Sequence, residues 1–474
     1  MAMARTQFVI LLLWGWATHA SDIPATQPVC FTHVSIIPMD RERVLRDQTV
    51  VVRDGTIATI GDSATVSVPD DAMVIDGRGK YLIPGLIDMH THLFTDEEFP
   101  DELAGDELAV MVANGVTTTR LMIGTPEHLT LRTRIGNGEL VGPTLFVASP
   151  QIAGRASGRI FNGRAVKTAE EARSAVNDFK KAGYDFIKLT TDITPEVYDA
   201  VTEAAKAADI RVVGHVDPRI GVRKALEAGQ QIEHLDCYME NVLGGDSTGK
   251  PSVSDYGVWR KPNWATLDDI DDQKVSELAH ATGAIGGYTC PTLTFFELSF
   301  AVEQSDDQLQ SRPDFRFFPK ERRVPLLAAH RRFWTEPPSA ERRAKYVRTR
   351  DSLVKQIHDA GGKIMAGSDS PELFLLYGFT LHREVKNLQE AGLTPYQALE
   401  AATRTPAEFL KGLDTFGTIE ARKRADMVLL EANPLDDVSN TERRAGVMIR
   451  GRWIPETEAK AMLERIATKF ENAS

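Results

Sequence analysis

A chain of 474 residues with 42% hydrophobic content can bury a large core, and an α/β barrel of ~250 residues with appendages fits that length as well as three small domains. Its formal net charge of -12 opposes general affinity for nucleic acid or anionic membranes, both of which require a basic surface. Three cysteines, Cys30, Cys237 and Cys290, are too few for a disulfide framework and favour free thiols.

Residues 1–20 set Arg5 ahead of the apolar run FVILLLWGWA, the pattern of a secretory leader. The run is far short of the ~20 residues that span a bilayer, and no later segment is long enough. The mature chain is expected to begin near Ser21, in the periplasm or outside the cell, without a membrane anchor. In residues 21–83, QTVVVRDGTIATIGD alternates β-formers around Asp54-Gly55, a hairpin signal. In residues 413–474, RADMVLLEANPL and VMIRGRWI read as further short strands. One composite β-sandwich built from both ends of the chain is expected.

Residues 84–412 change to strands alternating with helices, the pattern of parallel βα units. The first strand ends in PGLIDMHTHL; seven more candidates are GVTTTRLMIG, PTLFVAS, DFIKLT, VVGHV, QIEHLD, GGYTCPTL and KIMAGSD. Thr168 with Glu171, Thr394 with Gln397 and Thr405 with Glu408 fit capping boxes, and Pro195, Pro395 and Pro406 each follow a threonine as first helical residues. Eight such units predict a TIM-type (β/α)8 barrel. Residues 239–262 are rich in Gly, Ser and Asn, whereas 301–350 read as charged helices, either a solvated surface or a lid whose arginines bind a substrate carboxylate.

In that fold, chemistry collects where strands end. His90 and His92, Lys188, His215, His234 and Asp369 all sit at such ends. Imidazoles spaced by two residues project from one face and can grip a divalent ion. Singly, each of these residues has an ordinary structural reading, but six at equivalent strand ends point to one site.

LIPGLIDMHTHL, GYDFIKL, VVGHV, QIEHLD and AGSDS, in that order, resemble the metal-dependent amidohydrolase superfamily in its imidazolonepropionase-like and prolidase-like branch. The resemblance covers almost the whole mature chain. It implies two divalent ions, zinc foremost, one held by His90 and His92 and the other by His215 and His234. Lys188, carboxylated by carbon dioxide, would bridge them, and Asp369 would complete the first shell and shuttle protons. Tyr238 is a candidate oxyanion donor or else a packed aromatic, and His382 reads as structural or surface. Relatives of this kind often carry an Arg-Asp pair after the second strand and Gly-Gly-His after the third. Here those places read TTTRLMIG and SGRIFNGR, which bears on the substrate and not on the ligands.

The resulting expectation is a hydrolase of a small amide, a dipeptide or N-acyl amino acid, acting as a homo-oligomer. Two alternatives stand beside it: a one-ion enzyme acting on a cyclic amide or amidine, and a barrel without catalysis. Ions per chain, two, one or none, separate the three.

Overall fold

The structure, a computed structural model, describes residues 27–93, 101–154, 163–190, 192–242, 270–299, 304–333 and 339–472. The expected leader and most of the Gly/Ser/Asn-rich segment lie outside the described residues. In chain order the strands are β1 (Val29–Ile36), β2 (Leu45–Arg53), β3 (Thr56–Asp62), β4 (Met73–Asp76), β5 (Tyr81–Pro84), β6 (Leu86–Thr91), β7 (Val116–Leu121), β8 (Thr144–Val147), β9 (Gln151–Ala153), β10 (Gly163–Ala165), β11 (Phe186–Leu189), β12 (Arg211–Gly214), β13 (Gln231–Glu233), β14 (Tyr288–Cys290), β15 (Lys363–Ile364), β16 (Met427–Leu430), β17 (Arg444–Ile449) and β18 (Arg452–Pro455).

The two ends of the chain do share a sheet. β1 to β5 and β16 to β18 form one eight-stranded mixed sheet, its seam running where β16 lies antiparallel to β5 with Val428 opposite Ile83. Phe31, Val50, Val52, Leu82, Met427 and Met448 bury one apolar cluster against it. The hydrogen bonding joins these strands in one mixed sheet, which supports the expected composite β-sandwich in part. Both predicted hairpin turns form, with positive φ at Asp54 (48°), Gly55 (75°), Arg450 (48°) and Gly451 (81°), as tight two-residue loops require. The turns touch each other: a Cβ on Gly451 would lie 2.6 Å from Gly55 Cα. Two segments about four hundred residues apart are thereby fitted together.

The middle of the chain is α/β with parallel pairing throughout. β6, β7 and β8 form a three-stranded sheet, and a seven-stranded sheet runs in the order β10-β9-β11-β12-β13-β14-β15. Parallel bridges join Ala148, just after β8, to Phe186 of β11, and Thr91 of β6 to Ser370, beyond β15. Every residue of β6, β7 and β11 is buried, as expected of strands covered on both faces. All eight predicted strands are found; β9 and β10 are short additions beside β11 that the sequence did not suggest.

Helix starts follow the sequence with one correction. Thr168 and Thr394 form capping boxes with Glu171 and Gln397, and Pro195 and Pro395 open their helices. The helix Arg404–Phe409, however, begins before Thr405 and has no side-chain cap. The hydroxyl of Thr403, which occupies the cap position, donates instead to the Leu399 carbonyl of the preceding helix at 2.7 Å and so does not cap this one. Residues 306–333 and 340–359 carry the predicted charged helices, Asp306–Gln310, Lys320–Phe333 and Ala340–Asp359. All three cysteines are buried thiols outside any disulfide.

Candidate metal centre

β6 delivers His90, and the backbone immediately beyond it delivers His92. Asp369, in the loop after β15, is set beside them because its N–H donates to the His90 carbonyl at 2.7 Å. One of its carboxylate oxygens, Oδ1, lies 3.2 Å from His90 Nε2 and 3.1 Å from His92 Nε2. The other, Oδ2, is 3.9 Å from His234 Nδ1. His234 follows β13, with its ring centroid 4.6 Å from that of His90 and 5.1 Å from that of His215, which follows β12. Lys188, from β11, passes over Gly214, where a Cβ would come 2.9 Å from Lys188 Cδ and 2.3 Å from the Leu189 carbonyl oxygen. Its ammonium end is buried with no hydrogen-bond partner.

Two positions are held in the left-handed region, His234 at φ 58° and Asp369 at φ 56°. Such backbone is unfavourable by ~1–3 kcal/mol for a side-chain-bearing residue and persists where surrounding contacts over-determine it. One contact is visible. Arg350, on the helix Ala340–Asp359, donates to the His234 carbonyl at 2.5 Å and to the Pro291 carbonyl at 3.1 Å, while its guanidinium stacks 3.4 Å from the Phe296 ring centroid.

Burial dominates the electrostatics. It pushes His90 and His234 well below the usual imidazole range and His92 down to about 4, and it lowers Lys188 from its ordinary ammonium value. Burial raises Asp369 to about 8, opposed first by the neighbouring Lys188 charge. For His90, His92 and His234, burial thus favours the neutral form that a metal ion requires.

Nδ1 of three imidazoles meets an outer partner: Glu233 at 2.7 Å for His90, Asp236 at 2.6 Å for His215 and Thr292 at 2.7 Å for His234. The ligand atoms of His90, His92 and Asp369 lie within 4.8 Å of one another, as do those of His90, Glu233 and Cys290. The second trio is occupied by a cation already, since the Arg120 guanidinium donates to Glu233 at 2.6 Å and would repel a metal ion there.

The model of the Amidohydrolase family matches residues 81–454. The chain belongs to the amidohydrolase family. Among curated amidohydrolase relatives are an enamidase of Eubacterium barkeri, 37% identical over 75 residues, 16% of this chain and 19% of that protein, and an imidazolonepropionase of Micrococcus luteus, 36% identical over 108 residues, 22% and 26% of the two chains. These relatives are thus matched over about a quarter of their length or less. Solved structures extend the likeness. A Bifidobacterium longum protein provisionally named a prolidase superposes with TM-score 0.67 at 27% identity, covering 94% of this chain and 100% of its own. Bottromycin amidohydrolase does so with TM-score 0.74 at 22% identity over 94% and 91%, a likeness of fold.

All six candidate residues named from the sequence thus stand at or beyond strand ends, and five are tied into one cluster by close contacts, with Lys188 alongside. Tyr238 is not brought to it. The tyrosine opens the short helix Tyr238–Val242 and turns into the helical layer, where its hydroxyl meets Thr282 at 2.6 Å; of the two readings, the packed aromatic is what the structure contains. His382 is structural: fully buried, it bonds Thr441 Oγ1 and the Asn114 carbonyl, each at 2.9 Å. Sequence reasoning missed Arg120, Glu233, Asp236, Thr292 and Arg350. Glu233 and Asp236 flank His234 within QIEHLD and were open to notice; Arg350 sits in a charged helix with no local mark of its role.

Proposed function

We propose that this amidohydrolase holds two divalent ions, zinc foremost, and hydrolyses an amide bond of a small substrate, a dipeptide or an N-acyl amino acid. The two linked parallel sheets are read as one closed (β/α)8 barrel, with 84–412 as barrel and 21–83 plus 413–474 as the terminal β-unit. The observation that carries the metal reading is Lys188: a buried amine with no hydrogen-bond partner, near the imidazoles and within the influence of Glu233, Asp369 and Asp236. An isolated buried ammonium is strongly disfavoured, and a carboxylated lysine in the same place becomes an anionic bridge. The donor set therefore fits: His90, His92 and Asp369 toward one ion, His215 and His234 toward the other, carboxylated Lys188 between.

Bound ions of this kind supply an acidified water and a polarised carbonyl. The chain's own residues do the rest. Asp369, touching His90 and His92 through one oxygen, leaves the other for a proton, which it takes from the attacking water and returns to the leaving nitrogen. Burial of the cluster excludes bulk water from these transfers. Arg350 and the outer partners keep the ligands in place.

A second reading, one ion acting on a cyclic amide or amidine, is favoured by the compactness of the trio His90, His92 and Asp369. Metal analysis decides. We expect about two ions per wild-type chain, turnover within a library of dipeptides and N-acyl amino acids, and loss of most metal and activity in Lys188→Ala, partly restored by short carboxylates. A Lys188→Ala protein with two ions and full turnover overturns the bridge; one ion in the wild type selects the second reading. Export is part of the same proposal, and the short apolar run behind Arg5 is what supports it. Amino-terminal sequencing should find Ser21 at or near the start of the exported protein, and an intact Met1 refutes this.

A further inference from the structure

Beneath the candidate ligands lies a buried ion pair that ordinary stability does not explain. Arg120 on β7 and Glu233 at the end of β13 are both fully buried, and they meet across the interior between strands more than a hundred residues apart. Every arm of the guanidinium is engaged: Nη2 donates to Glu233 Oε1 at 2.6 Å, Nη1 to Gln231 Oε1 at 2.7 Å and Nε to the Met89 carbonyl at 2.7 Å. Replacing such a pair by apolar residues of similar volume is commonly neutral or stabilising, so its presence calls for another reason. The second carboxylate oxygen supplies one, since Glu233 Oε2 lies 2.7 Å from His90 Nδ1.

We propose that Arg120 and Glu233 are positioning residues that hold His90 with its proton on Nδ1 and Nε2 turned to the metal. The inference rests on the metal reading above. A carboxylate engaged by a guanidinium is an acceptor only, so the proton of the Glu233–His90 hydrogen bond belongs to Nδ1. Nε2, its lone pair exposed, then faces Asp369 Oδ1 at 3.2 Å, on the side where the other ligands gather. Arg120 acts twice. It fixes the Glu233 carboxylate, and through the Met89 carbonyl it fixes the backbone next to His90. His92 lacks this support, since its Nδ1 is buried with no hydrogen-bond partner. Of the pair in HTH, His90 is the pre-set ligand and His92 the one that adjusts.

The test uses the full mature chain with zinc as the probe, comparing wild type, Glu233→Gln and Arg120→Lys. Glu233→Gln keeps the shape but can turn an N–H toward His90, and Arg120→Lys keeps the charge without the three-armed grip. Zinc affinity by chelator competition should fall about 10- to 100-fold in Glu233→Gln, the range typical of lost outer partners, and less in Arg120→Lys. Nitrogen NMR of histidine-labelled, metal-free protein should show His90 protonated on Nδ1 in wild type and shifted toward Nε2 in Glu233→Gln. Wild-type zinc affinity in a folded Glu233→Gln protein overturns the proposal, as does a His90 proton on Nε2 in the wild type, a measurement that stands even where the variant fails to fold. A wild-type chain that takes up no zinc is a different failure: it removes the metal reading and this inference with it.

Discussion

Asp369 shows how much can hang on one side chain. A single carboxylate reaches His90, His92 and His234 from a left-handed backbone position, and burial raises it to about 8 against the neighbouring Lys188 charge. Asp369→Asn preserves its shape and removes the oxygen that would take up and return the proton. We expect turnover to fall by at least ~10²- to 10⁴-fold, the usual contribution of a general base, with inhibitor affinity changed far less and metal content lowered only in part. Turnover, inhibitor binding and metal should be measured on one preparation; full metal with near-normal turnover removes Asp369 from the mechanism. At this scale His90, His92, Lys188, His215, His234 and Asp369 were legible because strand ends are readable as local patterns. Tyr238 was not, because which way a side chain turns at the start of a helix depends on what packs there. Here Thr282, forty-four residues away, takes its hydroxyl.

The helix Phe379–Glu390 is anchored by His382, wedged against Asn114, Thr441 and Arg444. Burial first, then the Arg444 charge, lowers His382 from 6.5 to about 3. The unfolded chain therefore binds a proton between those values that the folded chain refuses. Its stabilising contribution is complete above the unfolded value and is lost as pH falls through the window toward the folded one, on the order of 1 kcal/mol per pH unit. His382→Gln should flatten this part of the acid loss. Unfolding free energies of both proteins at pH 7, 5 and 4 test it, and parallel curves for the two dismiss the assignment. A second helix, Ala340–Asp359, illustrates the reverse relation of pattern to role. Its basic run read as either a solvated surface or a lid; Arg350, within it, points inward and braces the His234 carbonyl. Arg343 and Arg350 share the buried face with Tyr346, Leu353, Val354 and Ile357 while the other arginines do not, and the charge of the stretch alone did not tell them apart.

Across the whole molecule, ligands drawn from strands β6, β11, β12 and β13 and from the loop after β15 make the proposed metal site a cross-link of the parallel core. Any ion that binds only the folded chain stabilises it, by about 2.7 kcal/mol when present at a hundred times its dissociation constant. Removing metal with a chelator should accordingly lower the melting temperature by several degrees, reversed by added zinc; an unchanged melting temperature in protein shown to have lost its ions argues that the site is not the cross-link described. The sequence by itself determined the α/β class, the sharing of one sheet by both ends, both hairpin turns and the six candidate ligands. Each of these follows from short-range regularities: strand alternation, turn chemistry, and polar residues placed where apolar runs stop. Only the tertiary structure decided which side chains support those ligands. Arg120 and Glu233 are brought to 2.6 Å by strands 113 residues apart, and Arg350 meets His234 across a separation of 116. Contacts of that range are products of how strands and helices close around a common interior, and neither periodicity nor spacing along the chain encodes the partner of a buried charge.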